Sequence, residues 1–212
     1  MTKTKTSILA FIVTSTAWAL PAAAQTPAQP ASSEKAKSAP TKTEKSAASK
    51  PEDALKKLTR KYDEMRGIAW YQHPSSPKFR NSNGVYLYFG KKDDGSVTPL
   101  RLVTQYYADS WLFVRRAWAK ADGVNIDLPS GSGRYGNWER DNGSGSIWEW
   151  ADSALISTSE KTAIRNLAFA KKVTVRYEGD KYYDDKSLSQ NQLKAMQADI
   201  NTYEAVTGTP WK

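Results

Sequence analysis

Between Asn83 and Trp150 apolar and aromatic residues recur at every second position, and each run stops at a cluster of Asn, Asp, Gly or Ser. No other feature constrains the chain as much. Side chains of period two line the two faces of a strand, and Asn-Gly or Asp-Gly pairs close hairpins. After Asn83-Gly84, Val85, Leu87 and Phe89 alternate with Tyr86 and Tyr88. Lys92-Asp93-Asp94-Gly95 has turn chemistry and leads into a strand over Leu100–Tyr107. A short break at Ala108-Asp109-Ser110 precedes a run over Trp111–Lys120, in which Leu112, Val114 and Trp118 oppose Trp111 and Phe113. Asp122-Gly123 turns again into Val124–Leu128. Three hairpin-like connections in a row predict an antiparallel meander.

The rest of the chain extends the pattern. Pro129–Gly136 is rich in Gly and Ser and reads as a loop. Trp138–Arg140 and Ile147–Trp150 flank an Asp141–Gly145 turn and predict another hairpin, and Val173–Tyr177 with Lys181–Tyr183 predict a last one. Helices are expected in three places. Pro51–Arg66 repeats Leu55, Leu58, Tyr62 and Met65 on one stripe. Ser157 with Glu160 is a capping box for a helix to about Ala170. Ser189 with Gln192 caps a final helix carrying Leu193, Met196, Ile200 and Tyr203 and ending near Gly208. The expected class is α+β: an antiparallel sheet of about seven strands, as a sandwich or open barrel, with flanking N-terminal and C-terminal helices.

The N-terminus has a different composition. Lys3 and Lys5 precede an apolar run over Ile8–Leu20, and Pro21 leads into Ala22-Ala23-Ala24. That order is the pattern of a secretory signal peptide over residues 1–24, with cleavage expected after Ala24, and the run is too short for a resident membrane helix. Residues 25–50 hold Ala, Pro, Ser, Thr and Lys without an aromatic or large aliphatic side chain. Such a stretch cannot bury enough apolar surface to offset its ordering entropy, so a disordered linker is expected ahead of one domain over 51–212. The expected location is periplasmic or secreted.

Charge and composition then remove function classes. The formal charge is +9, but the linker carries +3 of it and the signal segment +2. Residues 51–212 keep 24 basic and 20 acidic side chains. A nucleic-acid partner is therefore not expected, since Arg115 and Arg116 alternate across a strand and form no single patch. The absence of cysteine excludes disulfides, thiol nucleophiles and Cys-based zinc sites, and a single histidine, His73, excludes two-histidine centres. No cofactor or metal is implied.

The segments Tyr106–Phe113, Arg140–Trp150 and Tyr182-Tyr183-Asp184-Asp185 resemble landmarks of a family of small, uncharacterised exported bacterial domains. The resemblance spans roughly residues 60 to 207. It implies a shared fold and transfers no catalytic residue.

One region has the residue types for sugar chemistry. Trp138, Trp148 and Trp150 stand close in sequence to Glu139, Asp141, Glu149 and Asp152. Paired acids can protonate a leaving oxygen and activate water, and aromatic faces stack on sugar rings. Strand alternation, however, puts Trp148 and Trp150 on one face and Glu149 on the other, which predicts a buried tryptophan pair with an exposed acid. A calcium loop over Asp141–Glu149 fails because glycines occupy two of the ligand positions. His73, in a Pro-rich segment with Ser75 and Ser76, lacks a nucleophile-elbow pattern and reads as structural or solvated. Tyr183 offers one exposed contact at a strand end.

The residues thus point to an exported, non-catalytic interaction module of the cell envelope, tethered by a basic linker. Its expected partner is an envelope protein or peptidoglycan. The alternative is a glycan-binding or glycan-cleaving domain using Trp138, Glu139, Trp148, Glu149, Trp150 and Tyr183.

Overall fold

The computed structural model describes residues 51–130 and 137–212, so the signal segment, the linker and most of the Pro129–Gly136 loop lie outside the described residues. A helical turn at 51–55 leads into β1 (Thr59–Asp63), β2 (Ile68–Gln72), β3 (Gly84–Lys92) and β4 (Arg101–Ala108). Then come β5 (Arg116–Ala121), β6 (Val124–Leu128), β7 (Glu139–Gly143), β8 (Ser146–Ala154), α1 (Thr158–Phe169), β9 (Val173–Glu178), β10 (Tyr183–Ser187) and α2 (Gln190–Thr207). One antiparallel sheet has the order β1-β2-β3-β4-β8-β7 and the other β10-β9-β5-β6. The class is α+β, with a curled six-stranded sheet, a four-stranded sheet and flanking helices. No helix among the described residues is long and apolar enough to cross a membrane.

Local signals held where they were complete. Both capping boxes are present, each with reciprocal bonds between the cap serine and the third helical residue. Gly208 ends α2 at φ 68°, the left-handed cap that a glycine adopts without a Cβ clash. Asp122-Gly123 and Ser144-Gly145 both have two successive positive φ values, the backbone a two-residue hairpin needs. The second turn falls later than the Asp141–Gly145 reading, so β7 extends through Asp141.

Two expectations were overturned. The helix over Pro51–Arg66 stops after one turn. Leu55 and Leu58 are buried as the stripe required, but the next five residues pair with β2 as strand β1, and Met65 is left 96% exposed. Pairing supplies backbone partners from a neighbouring strand, whereas a lone helix with so few buried contacts would be marginal. The meander also breaks after β4. Instead of folding back beside it, the chain crosses to the other sheet, and Trp111–Arg115 belongs to no strand.

The core fills the space between the sheets and helices. Leu87, Phe89, Leu102 and Ala151 come from one face of the larger sheet, and Ala117, Ala119, Val175 and Tyr177 from one face of the smaller. The buried Tyr177 joins them: its Oη donates to the Gln105 carbonyl at 2.9 Å, and its ring packs against Tyr106 and Trp138. Helix α2 lies on β3, with Tyr203 edge-on to Phe89.

On that helix Asp199 is fully buried, and neither carboxylate oxygen makes a hydrogen bond. Burial pushes its pKa well above the usual carboxylate range, and the His73 backbone N–H, near the carboxylate but outside hydrogen-bond geometry, pulls weakly the other way. The folded chain therefore keeps a proton that the unfolded chain releases from about pH 4, so stability falls as pH rises from there until the folded-state pKa is passed. Asp199→Leu is expected to raise stability by about 1–3 kcal/mol at pH 8, with the gain shrinking toward pH 4. Urea unfolding at several pH values measures this, and a gain independent of pH would remove the titration of Asp199.

Candidate functional site

The Trp/Glu hairpin is not one surface. Glu149 is fully buried, whereas Trp148 and Trp150 are half-buried on the opposite face, so the predicted exposed acid beside a buried tryptophan pair is reversed. Trp138 is also buried, edge-on to Tyr177 in the core. Glu139 is exposed and pairs across the strands with Trp150 on the outer face. Tyr183 sits on the other sheet, exposed, with the Arg176 guanidinium 3.9 Å from its ring centre and bound bidentately to Asp185.

The buried Glu149 carboxylate holds the crossover from β4 to β5. One oxygen accepts the backbone N–H groups of Leu112 and Phe113 at 3.0 and 2.9 Å, and the other accepts that of Val114 at 2.7 Å. Arg140 adds its Nε–H at 2.9 Å and donates from Nη2 to the Val114 carbonyl at 2.7 Å. Phe113 is held at φ 54°, a left-handed conformation that costs a bulky residue about 1–2 kcal/mol. Gly179 packs so tightly here that a Cβ would overlap the Leu112 carbonyl oxygen. With its oxygens engaged by four donors and closed off from solvent, Glu149 has no lone acid function to offer a substrate. Glu149 therefore cannot be one of the solvent-facing acids that glycoside cleavage needs, whereas Glu139 and Asp141 are both exposed on the outer face of the hairpin.

The face of the larger sheet turned away from the core is a better candidate. A strap over residues 73–83 crosses it, pinned by the buried Gln105, whose Nε2 donates to the Ser82 carbonyl at 2.6 Å. Asn83 and Tyr107 exchange two further bonds at 2.9 and 3.0 Å. His73 and Ser75 bond each other within the strap at 2.8 Å, which agrees with a structural reading of that histidine. Between the strap, β1–β4 and the Glu64–Arg66 turn lies a groove of about 920 Å³.

Trp70, Tyr86, Tyr88, Val103 and Asp152 line its floor, and Phe79, 73% exposed, stands at its rim. Trp70 can lie flat across the sheet because its strand partner is Gly90, where a Cβ would press on the indole and on Ile68. Tyr88 Oη donates to Asp152 at 2.6 Å, while Arg101 Nε–H is shared between Tyr88 Oη and the other Asp152 oxygen, each at 2.9 Å. Burial first, and then the bond to Asp152, raise the Tyr88 pKa, so the phenol stays protonated and acts as a donor. The arrangement offers aromatic faces beside a fixed polar cluster. It is built to hold a ligand that has both an apolar ring face and a hydroxyl edge.

Sequence reasoning missed Trp70, Tyr88, Arg101 and Asp152 as a group. Four strands, β2, β3, β4 and β8, supply one residue each, and the available signal was Gly90 inside a strand, which marks a close approach. The chain matches no protein-family model, no curated protein and no solved structure.

Glu149→Gln is expected to cost about 3–5 kcal/mol in urea unfolding, because an amide nitrogen would face backbone N–H donors and Arg140 would lose its counter-charge. Glu139→Gln, on the surface ten residues earlier, is expected to change stability by less than about 0.5 kcal/mol.

Proposed function

We propose that this chain is an exported, non-catalytic binding module of a bacterial cell envelope that takes a glycan in the groove under the 73–83 strap. The observation that carries the reading is the groove floor itself. Trp70, Tyr86 and Tyr88 present ring surface next to the Tyr88–Arg101–Asp152 cluster, whose donors and acceptors suit hydroxyl groups. Sugars offer an apolar face of C–H groups and an edge of hydroxyls, which matches that pairing. The same cluster supports a binding role: Asp152 is held by Tyr88 on one oxygen and Arg101 on the other, fixed to orient a ligand hydroxyl.

The N-terminal pattern supports delivery out of the cytoplasm. Lys3, Lys5, the Ile8–Leu20 run and Ala22-Ala23-Ala24 have the order of a secretory signal. Residues 25–50 then supply a tether, basic and free of large apolar side chains, that lets the domain search a wall polymer within reach.

Titration of the purified chain with peptidoglycan fragments and chito-oligosaccharides, read by tryptophan emission and by co-sedimentation with intact wall, tests the proposal. Binding is expected, with Trp70→Ala weakening it at least about tenfold, the scale of one lost aromatic contact in a desolvated site. Trp70→Ala with unchanged affinity would remove the groove as the site.

A further inference from the structure

We infer that the glycan held in this groove carries an oxyanion, a carboxylate or a phosphate, and that Arg80 receives it. The inference rests on the groove reading above and concerns the charge of its ligand. Arg80 lies on the strap at the groove wall. Its guanidinium sits 5.1 Å from the ring centre of Trp150, and one N–H, on Nη1, donates to Tyr86 Oη at 2.9 Å. No carboxylate among the described residues pairs with it. Every other arginine lining or bordering the floor differs: Arg101 is bound to Asp152, and Arg66 lies beside Asp63.

A guanidinium has five N–H donors in a planar fork. Stacking on an indole and one bond to a phenol hold that fork in place and leave its other donors without an acceptor among the described residues. Such pre-orientation lowers the entropy lost on binding and favours an acceptor with two coplanar oxygens. Burial raises the pKa of Tyr86, and the nearby Arg80 charge pulls it the other way. The phenol is thus a neutral support and does not neutralise the guanidinium.

The surroundings reinforce the sign. Lys61, on the face of β1 that borders Trp70, and Lys78, on the strap, line the same groove without an acid partner among the described residues. Asp63 and Asp152, two of the three acids that line it, are already matched by Arg66 and Arg101, which leaves Glu64. Three unmatched cations against one unmatched acid give the groove a positive field, although residues 51–212 as a whole are close to neutral. A ring-bearing ligand with an anion on its edge fits that field and the aromatic floor together.

The test compares four probes at about 0.15 M salt, where loose surface attraction is screened. They are oligogalacturonate, a phosphorylated mannan, a neutral chito-oligosaccharide of similar length, and polyglutamate, an acid without sugar rings. Each is titrated against the whole chain and against Arg80→Gln, Lys61→Gln and Trp70→Ala. At least one acidic glycan is expected to bind tenfold or more tightly than the neutral one. Arg80→Gln is expected to abolish that preference, and Lys61→Gln to reduce it less. Whichever acidic glycan binds names the oxyanion.

Equal binding of the neutral and acidic glycans, unaffected by Arg80→Gln, would overturn the inference and leave the glycan site standing. Equal binding of polyglutamate would also overturn it, since attraction to the basic 25–50 segment would then suffice. Loss of nothing on Trp70→Ala would instead bring down the groove reading beneath it.

Discussion

One buried carboxylate holds the two sheets in their arrangement. Where the chain leaves β4 and enters β5 it passes through residues that pair with no strand, so three successive backbone N–H groups, at Leu112, Phe113 and the buried Val114, turn inward without ladder partners. A buried amide without an acceptor costs free energy comparable to a lost hydrogen bond. Glu149 accepts all three, and Arg140 from the neighbouring strand balances its charge. The same contacts hold Phe113 in its left-handed conformation and require the space that Gly179 leaves open. The crossover could not run where it does with an apolar residue at position 149.

The outer face of the larger sheet solves a different problem. A sheet with Trp70, Tyr86, Tyr88, Tyr107, Trp148 and Trp150 on one side would expose a broad apolar surface to water. The strap covers the middle of it, fastened by Gln105 and Asn83, whose side chains replace backbone partners for a segment too rich in proline to form a strand. What remains open beside the strap is a groove with a satisfied polar cluster on its floor. The Tyr88–Arg101–Asp152 cluster keeps Asp152 oriented within an aromatic surface, and Arg80 adds a charge that no carboxylate among the described residues pairs with.

Much of the fold was legible in the residues. The cap serines at 157 and 189, the hairpins at Asp122-Gly123 and around Gly145, and the Val85–Phe89 strand all formed, because each depends on backbone geometry within a few residues. The site was much less so. Alternation correctly divided Trp148 and Trp150 from Glu149 but carried no sign: it states that two faces exist, not which one is inside. Hydrophobicity then argued for burying the tryptophans, and that was the wrong choice here, since the buried position was set by three N–H groups from a distant segment. The helix expected through Arg66 failed for a related reason, as β2 offered its backbone to residues whose own helical contacts were few.

The sequence by itself determined the α+β class, the positions of most turns and caps, and an aromatic-rich sheet without a cysteine or a second histidine for catalysis. Those properties follow from local sterics, hydrogen-bond capping and side-chain period. Only the tertiary structure decided that Glu149 is a structural pin, that β4 and β5 lie in different sheets, and that Trp70, Tyr88, Arg101 and Asp152 share a groove with Arg80. Each of these depends on which distant segments meet, and the free energy of satisfying buried polar groups at such meetings outweighs the preferences of any single run of residues.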